Sequence, residues 1–150
     1  MTVFDEASAN RAIQNFLPAY VRETGVFAES VDADRAILRL PFSDKFCLSN
    51  GTVCGQVLLS LADTAGAFAI CGTHGAYLPM VTIDLTMHFL KPATPSDLIA
   101  EARIIRLGGT MAFGTVAIRA VQDAAPVALA QTAYSVTRPE IKWSELINAG

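Results

Sequence analysis

One acid stands alone in the run VCGQVLLSLADTAGAFAIC, residues 53–71. Asp63 is its only charged side chain, and no Lys, Arg or His accompanies it. An ionised carboxylate in apolar surroundings costs several kcal/mol unless it is paired, hydrogen-bonded or kept protonated. Near the start of the same run stands Gly55, which brings no side chain to a helix entrance. A helix N-terminus presents free N–H groups and about half a positive charge, which suits an oxyanion or an anionic ligand. A glycine there lets such a ligand approach closely. At about 1.5 Å per residue, Gly55 and Asp63 lie about 12 Å apart along one helix, so one chain cannot present both to the same carbonyl. Two chains with antiparallel helices could, the glycine of one meeting the aspartate of the other. Catalysis here therefore requires a dimer. The plainer alternative is a satisfied polar patch in the core, or an aspartate bonded to backbone groups of a partner subunit.

The helix itself sorts these residues. At about 100° per residue, with Gln56 as zero, Ser60 falls near 40°, Asp63 near 340°, Ala67 near 20° and Thr64 near 80°. The polar side chains thus form one narrow stripe, while Leu58, Leu59, Leu61, Phe68 and Ile70 point elsewhere. Such a stripe on a buried helix faces something polar or wet. Cys54, beside the helix entrance, is a second possible nucleophile if its pKa is depressed there. It would need a histidine within reach, and the chain offers only His74, in a loop, and His88, on a strand. Asp84 and His88 share a strand face about 13 Å apart and form no dyad. Two histidines without matching cysteine or acid spacing make no metal site.

Around this helix the sequence predicts an N-terminal helix over about residues 5–17, interrupted by Pro18, then two short strands around Asp32-Ala33-Asp34. The segment FCLSNGT reads as a loop with its turn at Asn50-Gly51. The apolar helix runs from about 55 to 71, with Gly72 as the expected C-cap. In VTIDLTMHFLKPA, Ile83, Leu85, Met87 and Phe89 alternate with Thr82, Asp84, Thr86 and His88, the period of a strand with one buried face. Three more strand-like runs follow, so the last four strands read as an antiparallel meander. The tail, 138–150, reads as a helical cap. A helix apolar nearly all round must be covered nearly all round. The economical solution is an α+β hotdog fold: an antiparallel sheet of about six strands curled around one central helix, as a single domain over 1–150.

The totals exclude several classes. With 52% hydrophobic and 17% charged residues among 150, the chain is no disordered segment. A net charge of −3 offers no broad basic surface, so no nucleic-acid partner is expected. A central aspartate costs about 2.5–3.5 kcal/mol in a membrane span, and strands follow the helix, so no membrane role is expected either. Three cysteines without a CxxC pair, and acids where a signal peptide would carry bases, point to the cytoplasm.

GTVCGQVLLSLADTAGAFA, VTIDLTMHFLKPA and LIAEARIIRLGGTMAFGTVAIRA together resemble the hotdog acyl-CoA thioesterases of the phenylacetate-degradation type, from about Gly25 to Thr137. That family reads G-T-[VL]-H-G-G at the helix entrance, with the acid eight positions after the first glycine of H-G-G. Here Gly55 and Asp63 keep this spacing, Cys54 replaces the histidine and Gln56 the second glycine. The match looks like a variant branch. The amide-bearing residue expected before the histidine would fall at Leu48, with Asn50 two positions away. The resemblance implies Asp63 as general base or nucleophile, the Gly55 N–H of a facing subunit as carbonyl donor, and Thr82 near the attacking water. It implies an acyl-CoA substrate with coenzyme A as part of it, no further cofactor, and a homodimer or homotetramer. Asn50, Cys54, Gln56, Ser60, Thr64 and Ala67 would line the substrate, with Lys91, Arg103, Arg106 and Arg138 as candidates for the CoA phosphates. The rival classes are a non-catalytic acyl-CoA binder and a hotdog dehydratase or hydratase, which usually pairs its acid with a histidine.

Overall fold

The computed structural model describes residues 3–136; the expected cap over 138–150, with Arg138, lies outside them. Helix α1, Glu6–Phe16, begins where the Asp5 carboxylate accepts from the Ser8 N–H at 2.9 Å, and buries Ala9, Ala12 and Ile13. Pro18 ends it, and a single turn, α2 (Ala19–Arg22), follows. Strands β1 (Phe27–Val31) and β2 (Arg35–Leu40) form the expected hairpin. Then come α3 (Gly55–His74), β3 (Met80–Phe89), β4 (Leu98–Leu107), β5 (Met111–Ala120) and β6 (Pro126–Val136).

The six strands form one antiparallel sheet in the order β1-β2-β4-β5-β6-β3, wrapped on α3. This is the expected fold with one correction. Only β4, β5 and β6 make a meander; β3 pairs with β6 at the far edge. The eight residues between β3 and β4 include Pro92 and Pro95, too long and too stiff for a hairpin turn, and they carry the chain across.

The inward strand positions are mostly small: Ala36, Ala100, Ala102, Ala112, Ala128 and Ala130 are all nearly inaccessible. Alanine on the sheet lets the helix close on it, and α3 fills the space with Leu58, Leu61, Phe68 and Ile70. Each such side chain contributes about 1.5–3 kcal/mol by leaving water. By length and composition α3 could also cross a membrane, but in this fold the sheet covers it.

The helix also runs a turn further than its sequence predicts. Gly72 is not its cap: it packs against the carbonyl of Asp32 and the side chain of Val31, where a Cβ has no room. The chain leaves the helix at Gly75, which takes the left-handed conformation (φ 83°) and returns its N–H to the Cys71 carbonyl. His74 therefore sits in the last helical turn, not in a loop.

The two sheet edges differ. Along β1, α1 lies against the strand, and the Asn10 side chain binds Ala28 twice, donating to its carbonyl (3.1 Å) and accepting from its N–H (2.9 Å). Along β3 nothing described covers the outer edge, and Val81, Ile83 and Phe89 are exposed. The buried face expected for β3 is accordingly reduced to the half-buried Leu85 and Met87.

Candidate active site

Asp63 projects from the middle of α3, half-buried, at one end of a cavity of about 260 Å³. No Lys, Arg or His among the described residues forms an ion pair with it. Its Oδ1 accepts from the Thr82 hydroxyl at 2.9 Å. That contact depends on an irregularity in β3. Thr82 pairs with Tyr134, but the register then skips, so that Asp84 pairs with Ala133 and Leu85 with Thr132. A bulge at Ile83 thus turns Thr82 to the inward face, with Leu85, whereas simple alternation placed it outward with Asp84. The bulge aims the hydroxyl at the carboxylate.

Tyr134 is a neighbour of Asp63 that pattern reasoning did not single out. Its ring is buried, and its hydroxyl donates to the main-chain oxygen of Asp63 at 3.0 Å. Burial, and then the adjacent Asp63 charge, push this phenol well above its usual pKa, so it remains a proton donor. Space for it comes from Gly66, where an added Cβ would run into the phenol oxygen. A glycine in mid-helix, three residues after the acid, was the available signal that something approaches there.

At the other end of the stripe, the N–H groups of Gly55, Gln56 and Val57 have no acceptor among the described residues; the first helical bond runs from Leu58 to Cys54. Gly55 lies under the Phe89 ring, whose edge would stand 3.2 Å from a Cβ there. Cys54 is the N-cap, half-buried, its own N–H given to the Phe46 carbonyl at 2.8 Å. His74 is at the opposite end of α3, about 30 Å away, and cannot serve Cys54 within one chain. His88 faces the outer side of the sheet, pairing with Leu129, where it lines a separate hollow with Glu101 and Arg103.

The remaining candidates divide. Ala67 and Thr64 line the Asp63 cavity, although the Thr64 hydroxyl is already given to the Ser60 carbonyl at 2.9 Å. Ser60 is half-buried on the α2 side, and Gln56 is exposed. Asn50 does not reach the cavity: its Oδ1 accepts from the Thr52 N–H and hydroxyl, shaping the loop before α3. Of the expected phosphate ligands, Lys91 pairs with Asp123 at 2.7 Å and Arg103 with Glu101 at 2.6 Å, while Arg106 forms no ion pair among the described residues.

The Thioesterase superfamily model matches residues 50–127, and the chain belongs to that superfamily. It is 31% identical over 134 residues to a Halobacterium salinarum protein whose name proposes an esterase, covering 83% of this chain and 87% of that one. Among solved structures, a thioesterase of Haemophilus influenzae shares the fold with a TM-score of 0.82 at 20% identity, over 95% of this chain and 96% of that one. The E. coli PaaI protein of the phenylacetic acid degradation operon superposes with a TM-score of 0.71 at 25% identity, over 87% and 94%. The family and the Halobacterium salinarum relative support a hydrolase.

Proposed function

We propose that this protein is an acyl-CoA thioesterase that works as a homodimer. One observation carries this: β3, the sheet edge that the described residues leave uncovered, has half of the proposed site at each end. Near its start Thr82 holds Asp63, and near its end Phe89 lies over Gly55 and the free N–H groups of α3. A bare ten-residue edge is a template for pairing with another strand. Antiparallel pairing of β3 with its own copy, centred on Thr86, sets Thr82 opposite Phe89 of the partner subunit once the extra residue of the bulge at Ile83 is counted. Each Asp63 then meets the helix entrance of the other chain, and the 12 Å that separates the groups within one protomer disappears.

The chemistry follows from these groups. The thioester carbonyl accepts from the N–H of Gly55 of the partner subunit, a donor of the kind worth about 10²–10³ in rate. Asp63, oriented by Thr82, acts as base toward water: the water proton passes to the carboxylate and its oxygen bonds to the carbonyl carbon. Collapse of the tetrahedral oxyanion breaks the C–S bond, and the departing sulfur of CoA takes the proton. The products are a free carboxylic acid and CoA. This assignment predicts that Asp63→Asn lowers thiol release from acyl-CoAs by about 10²–10⁴-fold, while Cys54→Ala retains it. Tight CoA binding without turnover, or loss of activity in Cys54→Ala alone, overturns it.

A further inference from the structure

From the shape of the Asp63 cavity we infer that Tyr77, braced by Phe16, is the stop that limits acyl-chain length; the inference rests on the thioesterase reading and names the substrate class of the same site. The cavity starts at Asp63 and Thr82 and follows α3 past Ala67 to Cys71. These helix positions are four residues apart, so they stack on one face over about 12 Å. The side walls are Leu17, Pro18 and Val21 from the α1–α2 elbow and Phe68 from α3. Beyond Asp63 and Thr82 the lining is mainly apolar, the Thr64 and Tyr134 hydroxyls being given to main-chain carbonyls, which suits the hydrocarbon end of a thioester rather than its pantetheine arm.

Tyr77 lines the hollow on the Cys71 side, away from Asp63, with Met80 of β3 beside it. On their other side lies a second, open hollow of about 440 Å³, lined by the same two residues with Phe16 and Pro79. The Tyr77 ring is the partition. It stacks on Phe16 at the end of α1, with centroids 4.4 Å apart and planes 18° from parallel. The row from Asp63 to Cys71 is about 12 Å long, the reach of an extended acyl chain of about eight carbons or of an aryl-acyl group of similar length. Longer chains meet the Tyr77 ring.

The test is a chain-length series read in two ways. Straight-chain acyl-CoAs from two to sixteen carbons, with benzoyl-CoA and phenylacetyl-CoA, give kcat/KM; non-hydrolysable S-alkyl-CoA thioethers of the same lengths give Kd. In the wild type, affinity rises about fourfold per methylene to about eight carbons and then falls, and kcat/KM follows. In Tyr77→Ala the inner and outer hollows join, so the ratio of twelve-carbon to six-carbon values rises by about tenfold or more. Phe16→Ala, at an exposed position, moves the ratio the same way by less and covers the case in which the first variant does not fold. A profile that favours long chains in the wild type, or that neither substitution moves, overturns the stop while leaving hydrolysis standing. Thioethers that show the cut-off, with no thioester cleaved, retain the stop and overturn the hydrolase.

Discussion

At the residue scale, two side chains divide the labour around one carboxylate. Thr82 fixes Oδ1, and Tyr134 anchors the backbone beneath it. Because Thr82 acts through Asp63, its removal falls on the chemical step: Thr82→Ala lowers kcat about tenfold or more with little change in KM, and Thr82→Ser recovers most of it. Steady-state kinetics on the two variants checks this, and a loss confined to KM contradicts it. The Tyr134–Gly66 contact makes a separate prediction. Gly66→Ala pushes a methyl group into the phenol oxygen and destabilises by about 1–3 kcal/mol, whereas adding Tyr134→Phe relieves the clash. Thermal melts of the single and double variants should show the double variant recovering part of the lost Tm.

At the scale of elements, the loop that leads into α3 is held from β4. Asp97, just before β4, accepts from the Phe42 N–H at 2.8 Å and from Arg39 at 2.9 and 2.8 Å. The Phe42 bond first, then Arg39, holds the Asp97 pKa below its ordinary value. A depressed carboxylate stabilises the fold fully above its unfolded pKa, near 3.9, and loses this as pH falls through the folded value. Asp97→Asn should therefore melt a few degrees lower near neutral pH, with the gap closing in acid; a gap that is constant from pH 7 to pH 3 contradicts the assignment. The elements themselves were largely legible in the sequence, because each has its own period and punctuation: Pro18 after the first helix, the Asp32–Asp34 turn and the apolar run of α3. Three features were not. The crossover of β3 depends on the stiffness of a proline-bearing loop, the inward turn of Thr82 on one skipped residue, and the extra helical turn on a carbonyl that excludes a side chain at Gly72. Each is set by tertiary contact that no local period records. Asp63 and Gly55 were visible because composition marks them; Tyr134 and Tyr77 were hidden because a tyrosine inside an apolar run looks like any other core residue.

At the scale of the whole molecule, the proposed site belongs to two chains at once, and subunit mixing can show it. Gly55→Pro removes the amide hydrogen at the first helical position; the backbone of Cys54 accepts a following proline, and the Phe89 ring, 3.2 Å from the added Cβ, must shift by a few tenths of an ångström. Asp63→Asn and Gly55→Pro proteins should each be inactive, yet a mixed dimer rebuilds one complete site from the intact halves. Random reassociation restores about one quarter of wild-type activity if two-fold pairing holds; no recovery contradicts a shared site. The unequal borders of the sheet have one more consequence. With one rim sealed by the double clasp of Asn10 on Ala28 and the other left open by the described residues, the proposed sideways docking would use each molecule's one free rim and stop at a pair. Prising α1 from the first strand would expose a second sticky border, and the same pairing that completes a site would then string molecules into a filament.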